Sequence, residues 1–359
     1  MNPEATNLPT QPQHATTEQT HPEPSTRRGS DFAPLMRQIR DSGLLNRRPG
    51  YYALRATVLT LAFAGGWTLF VVLGDSWWQL LVAVALAVVF GQIGLFAHDL
   101  AHQQVFRRRA FSDTVGRLVG NLAIGMSYGW WQDKHTRHHA NPNHEDSDPD
   151  IGTEIFVWST DQAQAATGLQ RVIGPWQAAL FYPLLLLEGM NLHIQSVRAL
   201  FQPWMKRRGV EATLLLTHFV GYLSVVFLLL PPGKAVLFLV IHQGLFGVYL
   251  GIIFAPNHKG MPTIPPGQRL DFLRKQVLTT RNVRGNWFTD LALGGLNYQI
   301  EHHLLPNMPS VHLPAAQPIV RDHCARLGLS YHETGFFQSH GEALRHLHQA
   351  SAPLREQRC

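Results

Sequence analysis

The sequence predicts an all-α integral membrane protein, with two transmembrane helical hairpins (four spans) carrying a cytoplasmic helical cap that holds a His-rich dimetal site. Three observations predict it. Polar ends surround a strongly apolar middle, although mean hydropathy over the chain is only −0.06. The apolar stretches pair off around short polar turns. Three histidine clusters follow apolar segments, each at the i, i+3, i+4 spacing that puts side chains on one helix face.

In chain order, residues 1–30 are rich in Pro, Thr, Gln and Glu and nearly free of large apolar residues. Such a stretch cannot bury enough surface to offset ordering entropy, so a disordered tail is expected. It lacks the apolar core of a secretory signal. Residues 31–335 are read as one membrane domain and 336–359 as a C-terminal cytoplasmic tail. The first span is expected over Tyr52–Leu73, with Arg55 near its start, where it can reach the interface. Gly74-Asp75-Ser76 forms the turn, and Trp77 and Trp78 read as an interfacial aromatic belt. The second span covers Leu80–Ala97. The third and fourth are Ala212–Leu230 and Ala235–Ala255, joined by Pro231-Pro232-Gly233. Each approaches the ~20 apolar residues needed to cross the hydrocarbon core.

Two further apolar segments are read differently. Residues 114–131 hold Arg117 and Asn121, and residues 172–200 hold Glu188, His193 and Arg198. A crossing at either would put the histidine clusters on opposite sides of the membrane. Residues 114–131 are therefore expected to lie at or dip into the interface, and 172–200 to lie on the cytoplasmic side or be half-inserted; a true fifth span at 172–200 is the alternative.

The chain has 359 residues with 30 Lys+Arg and 24 Asp+Glu. In a soluble protein that balance would suit nucleic acid. Here Arg107–Arg109, Lys206–Arg208 and Lys259 bracket both hairpins on one side, which reads as membrane orientation with both termini cytoplasmic. No nucleic-acid partner is expected. Arg274, Lys275, Arg281 and Arg284 are read as a cytoplasmic basic face, suited to an anionic headgroup, a coenzyme A phosphate or an acidic electron donor, or simply as positive-inside charge. Cys324 and Cys359 form no CxxC pair and lie far from the histidine clusters in sequence, so no disulfide framework is indicated.

The clusters are His98 and His102; His135, His138 and His139; and Gln299, His302 and His303. Imidazole is the commonest side-chain ligand for transition metals. Seven histidines exceed what one tetrahedral ion can use, and two metals account for them better. With no Cys nearby, thiolate zinc and iron–sulfur sites are excluded. His258 is the candidate eighth histidine, because it ends the fourth span level with the first cluster. His242 precedes it by sixteen residues, about 24 Å along a helix, and cannot reach the same centre. The acidic residues Glu145, Asp146, Asp148 and Asp150 serve as metal carboxylates, as acceptors that orient imidazoles, or as turn and capping groups around Pro149.

The order HDLAH, HTRHH, QIEHH between paired spans resembles the membrane-bound fatty acid desaturase family. The Gln opening the third box is similar to that of front-end (delta-5/delta-6-like) acyl desaturases and their bacterial relatives. Trp130-Trp131-Gln132-Asp133-Lys134, Asp148-Pro149-Asp150-Ile151 and Leu304-Leu305-Pro306 extend the resemblance, which covers roughly residues 50 to 330. It implies a desaturase that uses O2 at two non-haem irons to insert a cis double bond into a fatty acyl substrate, either acyl-CoA or membrane lipid. The metal site, held by the boxes with His258, would face the cytoplasm of a bacterial cell. The chain lacks the His-Pro-Gly-Gly haem signature fused to many front-end members, and it has no flavin or nicotinamide fingerprint. An external donor is therefore expected, a ferredoxin or cytochrome b5 with a flavoprotein reductase. Other outcomes of the same metal chemistry are hydroxylation and ketolation. A membrane metal carrier would instead line its spans with ligands, whereas here they carry little beyond His218 and His242.

Overall fold

The computed structural model describes residues 30–152 and 155–357, and is helical throughout apart from one short pair of strands. Nearly all of the expected N-terminal tail lies outside the described residues. Helix α1 (Phe32–Asp41) leads to α2 (Pro49–Leu73) and α3 (Gln79–Ala101), and a second pair is formed by α10 (Arg208–Leu229) and α11 (Pro232–His258). Among the described residues these four are the helices long and apolar enough to cross a membrane. Proline in the first turn of α2 and α11 sets the φ a helix needs where no N–H partner exists. Gly74 ends α2 at a φ of 52°. The two hairpin turns meet: Lys234 pairs with Asp75 and lies 4.8 Å over the Trp77 ring.

The spans pack through Phe70, Leu86, Val226 and Phe238, while Leu54, Leu61 and Val72 on α2 point outward, as lipid-facing residues should. Helices α3 and α11 form the centre. A Cβ on Gly91 of α3 would overlap the Tyr249 ring of α11. One on Gly247 would sit 2.4 Å from the Leu185 carbonyl oxygen and 2.6 Å from the Gly189 nitrogen. Backbone cannot yield as a side chain can. Gly247→Ala is therefore expected to cost about 1–3 kcal/mol, the range of an overpacked core. Gly221→Ala, with nothing within 4 Å, should be silent. Melting of the two purified variants checks the contrast.

Between the hairpins lie α4 (Arg109–Arg117), α5 (Tyr128–Ala140), α6 (Thr160–Gln164), α7 (Gly168–Ile173), α8 (Gln177–Leu185) and α9 (Glu188–Ala199). The expected single interfacial helix over 114–131 is broken. It runs from α4 into a π-helical turn, Leu118–Ala123, and then a loop whose Gly125 has a φ of 68°. The buried carboxylate of Glu211, on α10, organises that break. It accepts from Arg117 Nε (2.9 Å), Ser127 Oγ (2.9 Å), Gly129 N (3.2 Å) and the Asn121 carboxamide. Residues 172–200 are likewise split, at Leu186–Leu187, into α8 and α9 rather than forming one span.

Past α11 the cap contains α12 (Phe272–Leu278), β1 (Asn282–Arg284), α13 (Trp287–Ala292), α14 (Gln299–Leu304), α15 (Leu313–Arg326), β2 (Glu333–Gly335), α16 (Phe336–Ala350) and α17 (Ala352–Glu356). Strands β1 and β2 are parallel, with Arg284 opposite Gly335. One core joins α1, α12, α14 and α15 through Leu35, Ile39, Val277, Ile300 and Val320. Two sequence expectations change here. Arg281 is not part of a basic face: it is fully buried, bonded to Glu342 and to the carbonyls of Pro256 and Lys259. The segment read as a tail forms α16 and α17, and Leu347 and Leu354 of these helices are buried against the α6–α8 region.

Candidate metal centre

Each histidine cluster sits on a helix end that another part of the chain holds in place. His98 is in the last turn of α3 and His102 caps it. The first box is fastened by Asp99, which accepts from Arg55 (2.6 Å) and Ser310 (3.3 Å) and lies 3.4 Å from His98 Nδ1. Buried Gln104 donates to the Pro306 carbonyl (2.9 Å) just past the third box. Helix α5 carries His135, His138 and His139. Its start is capped by Ser127, which accepts from Trp130 N and donates to Glu211. Trp131 stacks on His135 with centroids 4.3 Å apart. The third box is α14 itself. Asn282 of β1 accepts from Ile300 N (2.9 Å) and donates to Glu301 (2.7 Å), which also accepts from Tyr331 (2.7 Å). Burial raises the Glu301 carboxyl to about 7.

The side chains converge in two groups, in each of which one ligand atom per residue lies within 4.8 Å of the others. One group is His98, His102, His135, His139 and His302. The other is His138, His258 and His303. The structure thus brings together all seven box histidines and His258. Gln299 lies beside the second group, its carboxamide nitrogen 3.0 Å from His258 Nε2, while its oxygen accepts from Asn257 (3.3 Å). His242 is elsewhere, bonded to Tyr222 at 2.6 Å.

The second group shows what the rings are arranged for. His138 Nδ1 donates to Asp148 (2.9 Å), whose oxygens also accept from Asn143 N (2.7 Å) and Asp150 N (2.9 Å). His258 Nδ1 donates to the Thr279 carbonyl (3.2 Å), and His303 Nδ1 to Gln276 Oε1 (3.0 Å). A neutral imidazole has one N–H. The Nε2 lone pairs therefore turn inward: that of His303 meets no protein partner, that of His258 meets the Gln299 carboxamide nitrogen at 3.0 Å, and the Nε2 atoms of His138 and His258 are 3.2 Å apart. With both rings neutral, lone pairs in that relation repel unless a cation, a metal ion or a proton on His138, lies between them.

In the first group, His135 Nε2 is 2.9 Å from His102 Nε2 and 3.0 Å from His139 Nε2, which is itself 3.2 Å from His302 Nε2. One in-plane proton or lone pair cannot serve two neighbours. Metal–nitrogen bonds of about 2.0–2.1 Å put adjacent ligands at right angles roughly 3 Å apart, which matches this spacing. The residues fit a pair of metal ions.

Electrostatics agree. Burial, followed by neighbouring imidazoles, holds His102, His135, His139, His302 and His303 well below the ordinary histidine range. They are neutral donors at physiological pH, the form a metal binds. Burial alone would also lower His138, but the carboxylates of Asp150 and Asp148 outweigh it and raise this ring. Those carboxylates favour positive charge where the second group would hold its ion.

Asp148 therefore acts as an acceptor that orients His138 and also caps the turn at Pro149, two of the roles the sequence left open. Asp148→Asn would offer an amide N–H to His138 Nδ1 and favour the wrong tautomer. We expect a ~10–100-fold loss of metal affinity, as for other outer-shell changes, read by metal titration of the purified variant. The sequence pattern missed Asp99, Gln276, Asn257 and Glu211. Asp99 lies inside HDLAH and could have been flagged by position. Asn257 adjoins His258 and could have been flagged in the same way, whereas Gln276 and Glu211 are distant in sequence from the boxes and carried no signal.

The comparisons agree with this geometry. The fatty acid desaturase family matches residues 75–335. The chain is 33% identical over 288 residues to an acyl-lipid (9-3)-desaturase of Physcomitrium patens, covering 77% of this chain and 54% of that protein. It is 30% identical over 332 residues to a Delta(6)-fatty-acid desaturase of Caenorhabditis elegans, covering 88% and 74%. A Delta(8)-fatty-acid desaturase of Helianthus annuus is 27% identical over 297 residues, covering 79% and 65%. The chain thus spans about half the length of the moss relative and about three quarters of the nematode one.

Proposed function

The chain belongs to the fatty acid desaturase family of oxidoreductases, and from that premise we propose that it introduces a cis double bond into a fatty acyl chain, with O2 and externally supplied electrons, at a di-iron centre. The observation that carries the reading is the pair of inward-facing imidazole groups at the ends of apolar spans. His98, His102, His135, His139 and His302 would hold one iron. His138, His258 and His303 would hold the other, with Gln299 offering a further donor. The larger imidazole complement of the first group leaves the second as the more open position.

An unactivated methylene has no acidic proton and no leaving group, so side-chain acids, bases and nucleophiles cannot desaturate it. Bound iron supplies what they lack, electron transfer to O2 and an oxidant able to take hydrogen from carbon. The balance is O2, two electrons and two protons in, two hydrogens removed from adjacent carbons, and two waters out. The protein's part is positional. Asp99, Asp148, Gln276 and Thr279 fix ring tautomers and orientations. The cap core and span ends keep the centre buried, with His98, His302 and His303 each about 1% exposed.

The membrane is that of a bacterial cell in this reading, with termini and metal site cytoplasmic. The electron donor is a ferredoxin or cytochrome b5 with its flavoprotein reductase. The test is reconstitution. The purified chain is expected not to consume NADPH alone, and to form unsaturated product when reductase and carrier are added. Gas chromatography of the fatty acids distinguishes outcomes: hydroxylated or keto products would replace this reading with the oxygenating one, and turnover with NADPH alone would reveal a redox group within the chain.

A further inference from the structure

Strands β1 and β2 run parallel and end in register, so the residues that follow them emerge side by side. After β1 come Gly285, Asn286 and helix α13; after β2 come Phe336 and Phe337 at the start of α16. The emerging surface is apolar and uncovered: Trp287 is 76% exposed, Phe288 61%, Leu291 59% and Phe337 87%. Four large apolar side chains so exposed on one tip are unusual for a surface in water.

Two contacts fix where this tip sits. Gln92 of α3 donates to the Leu291 carbonyl (3.1 Å), and Tyr249 of α11 donates to the Ala292 carbonyl (2.6 Å). Gln92 precedes His98 by six residues and Tyr249 precedes His258 by nine, so they lie about 9 and 13 Å back along their spans from the metal-site end. Phe336 packs in the same cluster as Leu95, Tyr249, Ile253 and Leu293. The tip therefore lies against the flanks of the spans, set back toward the bilayer, and not on top of the cap.

The backbone of α13 is also finished as hydrocarbon requires, with its polar groups met internally. Asn286 Oδ1 accepts from Phe288 N (3.0 Å) and Thr289 N (3.2 Å) at one end. Gln92 and Tyr249 take up carbonyls at the other. Arg284, exposed at the last position of β1, can reach back to a headgroup phosphate.

We propose that α13 and the first turn of α16 form a wedge inserted into the hydrocarbon of the leaflet on the metal-site side, so that the chain re-enters the membrane after its fourth span. The occupant of the exposed surface is lipid acyl chain, argued from its continuity with the lipid-facing flanks of α3 and α11. The inference rests on the membrane reading of the spans and not on the desaturation chemistry.

The test uses the full chain in lipid nanodiscs, with Cys359→Ser and the buried Cys324 retained. Nitroxide labels are placed singly at Phe288→Cys and Phe337→Cys. Leu61→Cys, exposed on α2, is the lipid reference, and Gln268→Cys, in an exposed loop, is the water reference. At 288 and 337 the collision rate with oxygen should exceed that with a water-soluble nickel chelate several-fold, as at 61. Rates like those at 268 would place the wedge in water and overturn the proposal. Low rates with both reagents would mean protein covers the tip, and would overturn it equally. Nickel collisions at 61 itself would instead sink the membrane reading of the spans.

Discussion

His303→Ala should abolish double-bond formation while leaving membrane insertion intact. The ring belongs to the smaller imidazole group, which would fall from three histidines to two. Its Nε2 is buried without a protein partner, its Nδ1 donates to Gln276, and its face stacks on His139 with centroids 4.1 Å apart. Removing it deletes a donor and frees the neighbour that supports the other group. The loss should exceed the ~10–100-fold typical of outer-shell changes, leaving product undetectable. His139→Ala should match it from the larger group. Neither side chain faces lipid, so expression and insertion are the controls. Product analysis and metal content per chain must be read together: about two irons per active chain are expected, and full activity with stoichiometric zinc would defeat the iron assignment.

His258→Ala should lose both metal and turnover, whereas His242→Ala should retain most of each. Both residues are on α11 and both are buried. Their surroundings differ. His258 Nε2 faces His138 Nε2 at 3.2 Å, with its other nitrogen held by the Thr279 carbonyl. His242 is bonded to Tyr222 and meets the Phe90 ring edge-on at 4.4 Å, a packing role between spans. Matched expression, iron analysis and product yield decide the comparison. If His242→Ala were the inactive variant, His258 would leave the proposed ligand set.

Much of this was legible from spacing. Helical periodicity places imidazoles on a shared face without tertiary information, and span ends bring distant faces level. That is why His258, sixteen residues from its rival, could be singled out. What spacing cannot give is which face meets which. His138 and His139 are adjacent yet join different groups, a division set by the packing of α5 against α11, α12 and α14. Polar groups that serve the fold were also opaque. Arg281 reads as part of a surface basic face, and Glu211 goes unmarked before the third span, because sequence records a residue's type but not its partner. The cap after Gly260 reads as polar on average, and the average hides the few apolar residues at the ends of β1 and β2.

The division of neighbouring residues between the two groups has a mechanical consequence. On α14, His302 serves one group and His303 the other; on α5, His139 and His138 do the same. Two short rigid rods therefore each touch both positions one residue apart, like the paired jaws of a gauge. The distance between the positions is set by helix geometry rather than by the compliance of long side chains, and no rotation of either rod can adjust one position while sparing the other.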